Sequence, residues 1–149
     1  MRRRFLMLVS SLACAPALLL PAAARAQPVP SELPWTRLAP ADLDRYEATV
    51  GGVRVNNLAL GPLADAEAAG PATVQEFTLT AANRGAEWQR VIVEIVGVRE
   101  DGRPTFTAGA DLDVEPRRNE TAREQFFAAE EEMKATAAYW LRVLVLPRD

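Results

Sequence analysis

The chain has 149 residues with 17 Lys+Arg, 20 Asp+Glu, no His and one Cys. Its 49% hydrophobic, 7% aromatic and 25% charged residues are ordinary for one globular domain, neither disordered nor fibrous. Beyond Ala26 the sum changes, because the leading segment holds four arginines and no acid. The remaining 123 residues carry a net charge of −7, which argues against a nucleic-acid binder or a polybasic membrane-surface protein.

Met1 to Ala26 has the form of an export signal. Arg2 to Arg4 make a basic start, Phe5 to Leu20 an apolar stretch broken by Pro16, and Ala24-Arg25-Ala26 a small-x-small cleavage site. Pro16 and Pro21 count against an uncleaved membrane anchor, since each removes a backbone donor where lipid supplies none. Arg2-Arg3-Arg4-Phe5-Leu6 fits a twin-arginine pattern, and an ordinary basic n-region fits equally well. Cys14 lacks the branched apolar residue three positions before it that lipidation requires, because Ser11 stands there. It goes with the signal. The exported chain then has no cysteine and cannot form an intrachain disulfide in an oxidising compartment, periplasmic or secreted.

Residues 27–40 contain Pro28, Pro30, Pro34 and Pro40 and read as a Pro-rich linker, with Trp35 docking on the domain that follows. That domain covers 41–149. Ala41 to Glu47 can make one helical turn, with Asp42 and Asp44 at its positive end. Val53 to Leu60 reads as a strand, and Gly61 to Pro71 as a loop. Thr73 to Ala82 alternates, with Phe77, Leu79 and Ala81 on one face and Glu76, Thr78 and Thr80 on the other, as in a half-buried strand. Asn83-Arg84-Gly85 predicts a turn through residues that tolerate positive φ.

Trp88 to Val98 is a β-branched run that is apolar on both faces, which predicts a central strand. Asp101-Gly102 is the strongest hairpin signal. Pro104 to Val114 returns with Phe106, Ala108, Ala110, Leu112 and Val114 at period two, and Pro116 to Asn119 turns again. Tyr139 to Leu146 is the last strand, interrupted only by Arg142. Residues 120–138 admit two readings. One is a helix capped by Asn119 with Ala122, Phe126, Met133 and Ala137 roughly on one face. The other is a strand from Thr121 to Ala128 followed by a charged loop or single helical turn through Glu130-Glu131-Glu132. The second is favoured, because evenly spaced strands with turn signals suit a sandwich.

The series of strand, Asn83 turn, β-branched strand, Asp101-Gly102 hairpin, strand, Pro116 turn and two further strands resembles immunoglobulin-like or fibronectin type III-like bacterial envelope domains. Among these it resembles the FxLyD-type domain. The likeness covers about residues 72–146. The Phe-x-Leu-Tyr-Asp positions fall on Ile95, Gly97, Val98 and Arg99, with Gly97 and Arg99 departing from the pattern. The resemblance implies an all-β, single antiparallel sandwich of about seven strands. It further implies an interaction or accessory module rather than an enzyme, and it transfers no catalytic residue.

Elimination narrows the chemistry. Beyond Ala26 there is no His, no Cys, one Ser (Ser31), one Lys (Lys134) and one Met (Met133). A Ser-His-Asp or Cys-His nucleophile cannot be built, nor can zinc, copper or haem sites that rest on those residues. No glycine-rich phosphate cradle is present. The expectation is therefore no catalytic residue, no cofactor and no metal. Asp111, Asp113 and Glu115 share a strand face and could offer oxygens to Ca²⁺, but alternation with Ala110, Leu112 and Val114 makes them a solvated outer face. Glu130-Glu131-Glu132 and Arg117-Arg118 read as solubilising charge. The aromatics Trp88, Tyr139 and Phe126 are expected in the core. In Phe126-Phe127 and Tyr139-Trp140, one member of each pair must face outward. Phe127, Trp140 and Trp35 are thus the candidate contacts for a partner protein in the envelope. A carrier of small apolar ligands would instead need a cavity lined by these aromatics. A carboxylate-only hydrolase would need two converging acids.

Overall fold

The computed structural model describes residues 29–63 and 72–148. The export signal and most of the Gly61–Pro71 loop lie outside the described residues. Eight strands are described: β1 (Ser31–Leu38), β2 (Ala48–Val50), β3 (Val53–Pro62), β4 (Ala72–Asn83), β5 (Gln89–Val98), β6 (Pro104–Val114), β7 (Asn119–Ala129) and β8 (Ala138–Pro147). A 3₁₀ turn at Pro40–Asp42 follows β1, and a five-residue helix α1 (Glu130–Lys134) precedes β8. No helix among the described residues is long and apolar enough to cross a membrane.

The strands form two four-stranded antiparallel sheets, in the orders β1-β8-β5-β6 and β2-β3-β4-β7. The connections β1–β2, β4–β5, β6–β7 and β7–β8 pass from sheet to sheet. β4 therefore pairs with β7, and β5 with β8. This all-β sandwich, with β3, β4 and β7 in one sheet and β6, β5 and β8 in the other, is consistent with an immunoglobulin-like Greek key. The strand beside β8, where such folds place their last strand, is here the first, β1.

Alternation explains the core. Val53, Val55, Leu58, Phe77, Leu79 and Ala81 face inward from one sheet, and Val91, Val93, Ile95, Leu141, Val143 and Val145 from the other. Phe106, Phe126 and Tyr139 close one end. The ring centroids of Phe106 and Phe126 lie 5.1 Å apart, and those of Phe106 and Tyr139 lie 6.1 Å apart at an interplanar angle of 61°.

Three expectations are corrected. Ser31–Leu38, read as part of a linker, is an edge strand paired with β8. Its one internal proline fits because an edge tolerates a missing donor, and the pairing breaks there, between Leu33 and Thr36. This strand and the three-residue β2 raise the count above seven. Asn83 and Gly85 do not adopt positive φ. The turn is instead held by the Asn83 side chain, which is 2% exposed. Its Oδ1 accepts from the Gly85 N–H at 2.8 Å, and its Nδ2 donates to the carbonyls of Glu87 at 2.7 Å and Val114 at 3.2 Å. Trp88 is not in the core; it is 42% exposed.

The segment 120–138 is a strand followed by a single short helix, the second of its two readings. The Ala129 N–H donates to the Glu132 carboxylate, and three glutamates occupy the first turn, where the positive end of the helix favours them. The Thr136 hydroxyl meets the Thr105 hydroxyl at 2.7 Å, and the Ala137 N–H donates to the Val98 carbonyl at 2.8 Å. These bonds fasten the helix exit to the base of the β5–β6 hairpin. The hairpin turn itself closes through Gly102, at φ +82°.

Gly97 makes the end of the core possible. A Cβ there would stand 2.4 Å from a ring carbon of Phe106 and 2.5 Å from the Thr105 hydroxyl. Both neighbours are buried. Gly97→Ala is expected to cost about 1–3 kcal/mol through overpacking, read as a lowered urea midpoint with unchanged m-value. Asn83→Ala is expected to cost about 1–3 kcal/mol, because it leaves buried backbone groups without partners; thermal unfolding measures the loss.

Candidate functional site

The two outer faces of the sandwich differ. On the β2-β3-β4-β7 sheet the outward positions are mostly polar: Asn56, Glu76, Thr78, Thr80, Thr121, Arg123 and Gln125. The Thr80 and Thr121 hydroxyls meet across the β4–β7 ladder at 3.3 Å. Phe127, opposite Val74 at one end of this face, is the exception and is 75% exposed.

The outer face of the β1-β8-β5-β6 sheet carries all three tryptophans of the chain. Trp140 of β8 lies opposite Val96 of β5 and Arg37 of β1. Thr36 and Leu38 face inward opposite Leu141 and Tyr139, so alternation turns Trp35 outward on the same face as Trp140. Trp88 sits outward at the far end of β5, where its carbonyl accepts from the Arg148 N–H. Ile92 and Leu144 form a cross-strand pair between the two ends.

Charged pairs separate these apolar groups. Arg142 bridges Glu32 at 3.1 Å and Glu94 at 3.7 Å. Arg90 donates through Nε to Asp111 at 2.8 Å and again through Nη2, and Arg148 pairs with Asp113. Three arginines (Arg90, Arg142, Arg148) thus pair with four acids (Glu32, Glu94, Asp111, Asp113) on this face. It carries no lysine. Tryptophan and arginine are the residue types that dominate protein contact surfaces, where lysine is depleted.

Among the sequence-derived contact candidates, Trp35 and Trp140 lie together on this face, while Phe127 lies on the opposite side of the molecule. Sequence reasoning missed Trp88. Parity against Val91, Val93 and Ile95 marks it as outward, but the apolar residues on both faces of β5 hid that parity. Asp111 and Asp113 point outward and each is tied to an arginine. Among the described residues, no group of three or more Asp, Glu, His or Cys is arranged to hold a metal ion.

A cleft of about 530 Å³ opens at the α1 end of the sandwich, lined among the described residues by Leu60, Gly61, Pro62, Thr73, Gln75, Glu130, Met133 and Lys134. None of the aromatics expected for a ligand carrier lines it. The Gln75 amide donates to the Thr73 hydroxyl at 2.6 Å, which in turn donates to the Ala128 carbonyl.

The arrangement is an antiparallel all-β sandwich with one tryptophan-bearing outer face. No family model matches the chain, and no curated protein matches it. Among solved structures it is similar to a DUF1425 family member from Shewanella sp. pv-4. That match has 12% identity and a TM-score of 0.35, over 78% of this chain and 89% of the other. It is also similar to a chain in the structure of infectious bursal disease virus Gx strain, at 10% identity and a TM-score of 0.38. That match covers 94% of this chain and 32% of the viral one.

Hydrogen bonding to Arg90, joined by its charge, holds the Asp111 carboxyl below the usual carboxylate range. A depressed folded pKa contributes stability that is present above the unfolded value and is lost as pH falls through the folded one. Asp111→Asn is therefore expected to lower the melting temperature slightly at neutral pH. That deficit should close as pH falls through the acid range, in parallel melts of both proteins. The effect is small because both partners are about half exposed.

Proposed function

We propose that this chain is an exported, non-catalytic interaction module of the bacterial cell envelope, acting through the outer face of the β1-β8-β5-β6 sheet. The observation that carries this reading is that Trp35, Trp88 and Trp140 all stand outward on one sheet, Trp88 at the opposite end from Trp140, while the other outer face is mostly threonine and charge. A rigid sheet presents these rings at little entropic cost, and large aromatic anchors carry most of the energy in protein contacts. The signal at Met1 to Ala26 and the absence of His and Cys beyond it support export and a non-catalytic role. The immunoglobulin-like topology agrees with a module whose work is contact.

The test is to tag the chromosomal copy at its C-terminus, cross-link intact cells and identify co-purifying proteins against an untagged control. An intact mass short by residues 1–26 reports processing. Specific envelope partners lost in Trp35→Ala and Trp140→Ala, and kept in Phe127→Ala, are the expected result. With the purified partner, each tryptophan change should weaken Kd by about thirtyfold, the ~2 kcal/mol of a central anchor. Partners unchanged in both tryptophan variants, or lost only with Phe127→Ala, would overturn the assignment to this face.

A further inference from the structure

Among the described residues the two sheets have four edges, and these differ. β1 and β2 lie near each other on one side of the sandwich, β6 and β7 on the other. β1 carries Pro34, where its pairing breaks, and β2 is three residues long. Proline and shortness each make an edge a poor template for another strand. β6 and β7 have neither device. Each is eleven residues long, with no proline after its first position. β7 pairs with β4 without a break from Asn119 to Ala129, and β6 pairs with β5 without a break from Phe106 to Val114. Two long, regular edges thus stand open side by side.

One charge interrupts this side. Ala122, Phe126 and Ala128 of β7 face inward and are buried. Glu124 belongs to the same row, opposite the fully buried Phe77, and yet it is exposed. It is the only charged residue between the buried members of that row. It borders a notch of about 290 Å³ that it shares with Gly109, Ala110 and Asp111 of β6. Among the described residues its carboxylate forms no ion pair, whereas Asp111 and Asp113 of β6 are each tied to an arginine. Folding does not call for a carboxylate here, since an apolar residue would complete the inward row. We propose that Glu124 guards the β6–β7 side of the sandwich against strand addition. A strand laid along either edge would close over the carboxylate and take an unpaired charge out of water, which is costly. The guard is independent of the tryptophan face and its partner.

Analytical ultracentrifugation of the purified chain across a wide concentration series reads the guard. Glu124→Leu completes the apolar row and should self-associate at a protein concentration about tenfold or more below any at which the unchanged chain does. Glu124→Gln removes the charge and keeps the shape. It should associate more weakly than Glu124→Leu and more strongly than the unchanged chain, and it carries the test if the leucine variant does not fold. Glu124→Lys keeps a charge at the position and should stay monomeric, which a role resting on one contact of the carboxylate does not predict. Gln125→Leu places the same leucine on the outward row of β7 and should stay monomeric too. Amide exchange of the associated protein should show new protection in β6 or β7 and none in β1. Glu124→Leu and Glu124→Gln that fold and remain as monomeric as the unchanged chain would overturn the proposal. So would equal association of Glu124→Lys or Gln125→Leu, or new protection confined to β1. An unchanged chain that already self-associates with β6 and β7 protected would overturn it as well.

Discussion

Ten consecutive residue pairs, from Gln89 opposite Pro147 to Val98 opposite Ala138, hold β5 against β8. The rest of the structure depends on that ladder. Its register places Val91, Val93, Ile95, Leu141, Val143 and Val145 on the inner face and Trp140, Arg142, Ile92 and Glu94 on the outer one. A slip of β8 by one residue would turn Leu141, Val143 and Val145 outward and bury Arg142 in their place. Because both strands are central in their sheet, the ladder also decides what flanks it. β6 is delivered by the Gly102 hairpin, and the open side of β8 is left to β1.

The core must hold the fold without a disulfide beyond Ala26, and it does so by packing at two levels. Aliphatic side chains from facing strands fill the middle. At one end, Phe106 stacks on Phe126 and meets Tyr139 edge-on, over the backbone of Gly97. Small residues and large rings interlock there, and the short helix Glu130–Lys134 is pinned alongside by Thr136 and Ala137. At the other end a single buried side chain, Asn83, joins the β4–β5 turn to the end of β6. Polar anchoring of this kind fixes the crossing between sheets where no hydrophobic contact would specify it.

The consequence for function is an asymmetry. A two-sheet sandwich needs only its inner faces to be apolar, so threonines, charges and glutamine on the outer face of one sheet are what folding alone requires. The other outer face holds three tryptophans, an Ile92–Leu144 pair and three arginines paired with four acids. Folding does not require these residues there. Ion pairs between the apolar groups keep the face soluble.

Much of the fold was legible in the sequence because its strands alternate. Thr73 to Ala82 and Pro104 to Val114 declare their inner residues by period alone, and Asp101-Gly102 declares its hairpin by the one residue that takes positive φ freely. The elimination of His- and Cys-based chemistry needed only a residue count. Phe127 and Trp140 could be placed outward because neighbours on a strand must face opposite ways. Three things were decided by tertiary structure. Ser31–Leu38 is a strand only because β8 offers it an edge; its proline-rich surroundings carry no strand signal of their own. Trp88 is outward because β5 pairs in one register and not the next, which a run apolar on both faces cannot announce. And Trp35, Trp88 and Trp140, far apart in the chain, share a face because β1, β5 and β8 lie in one sheet. Local sequence sets the period of a strand, but only long-range pairing sets its neighbours.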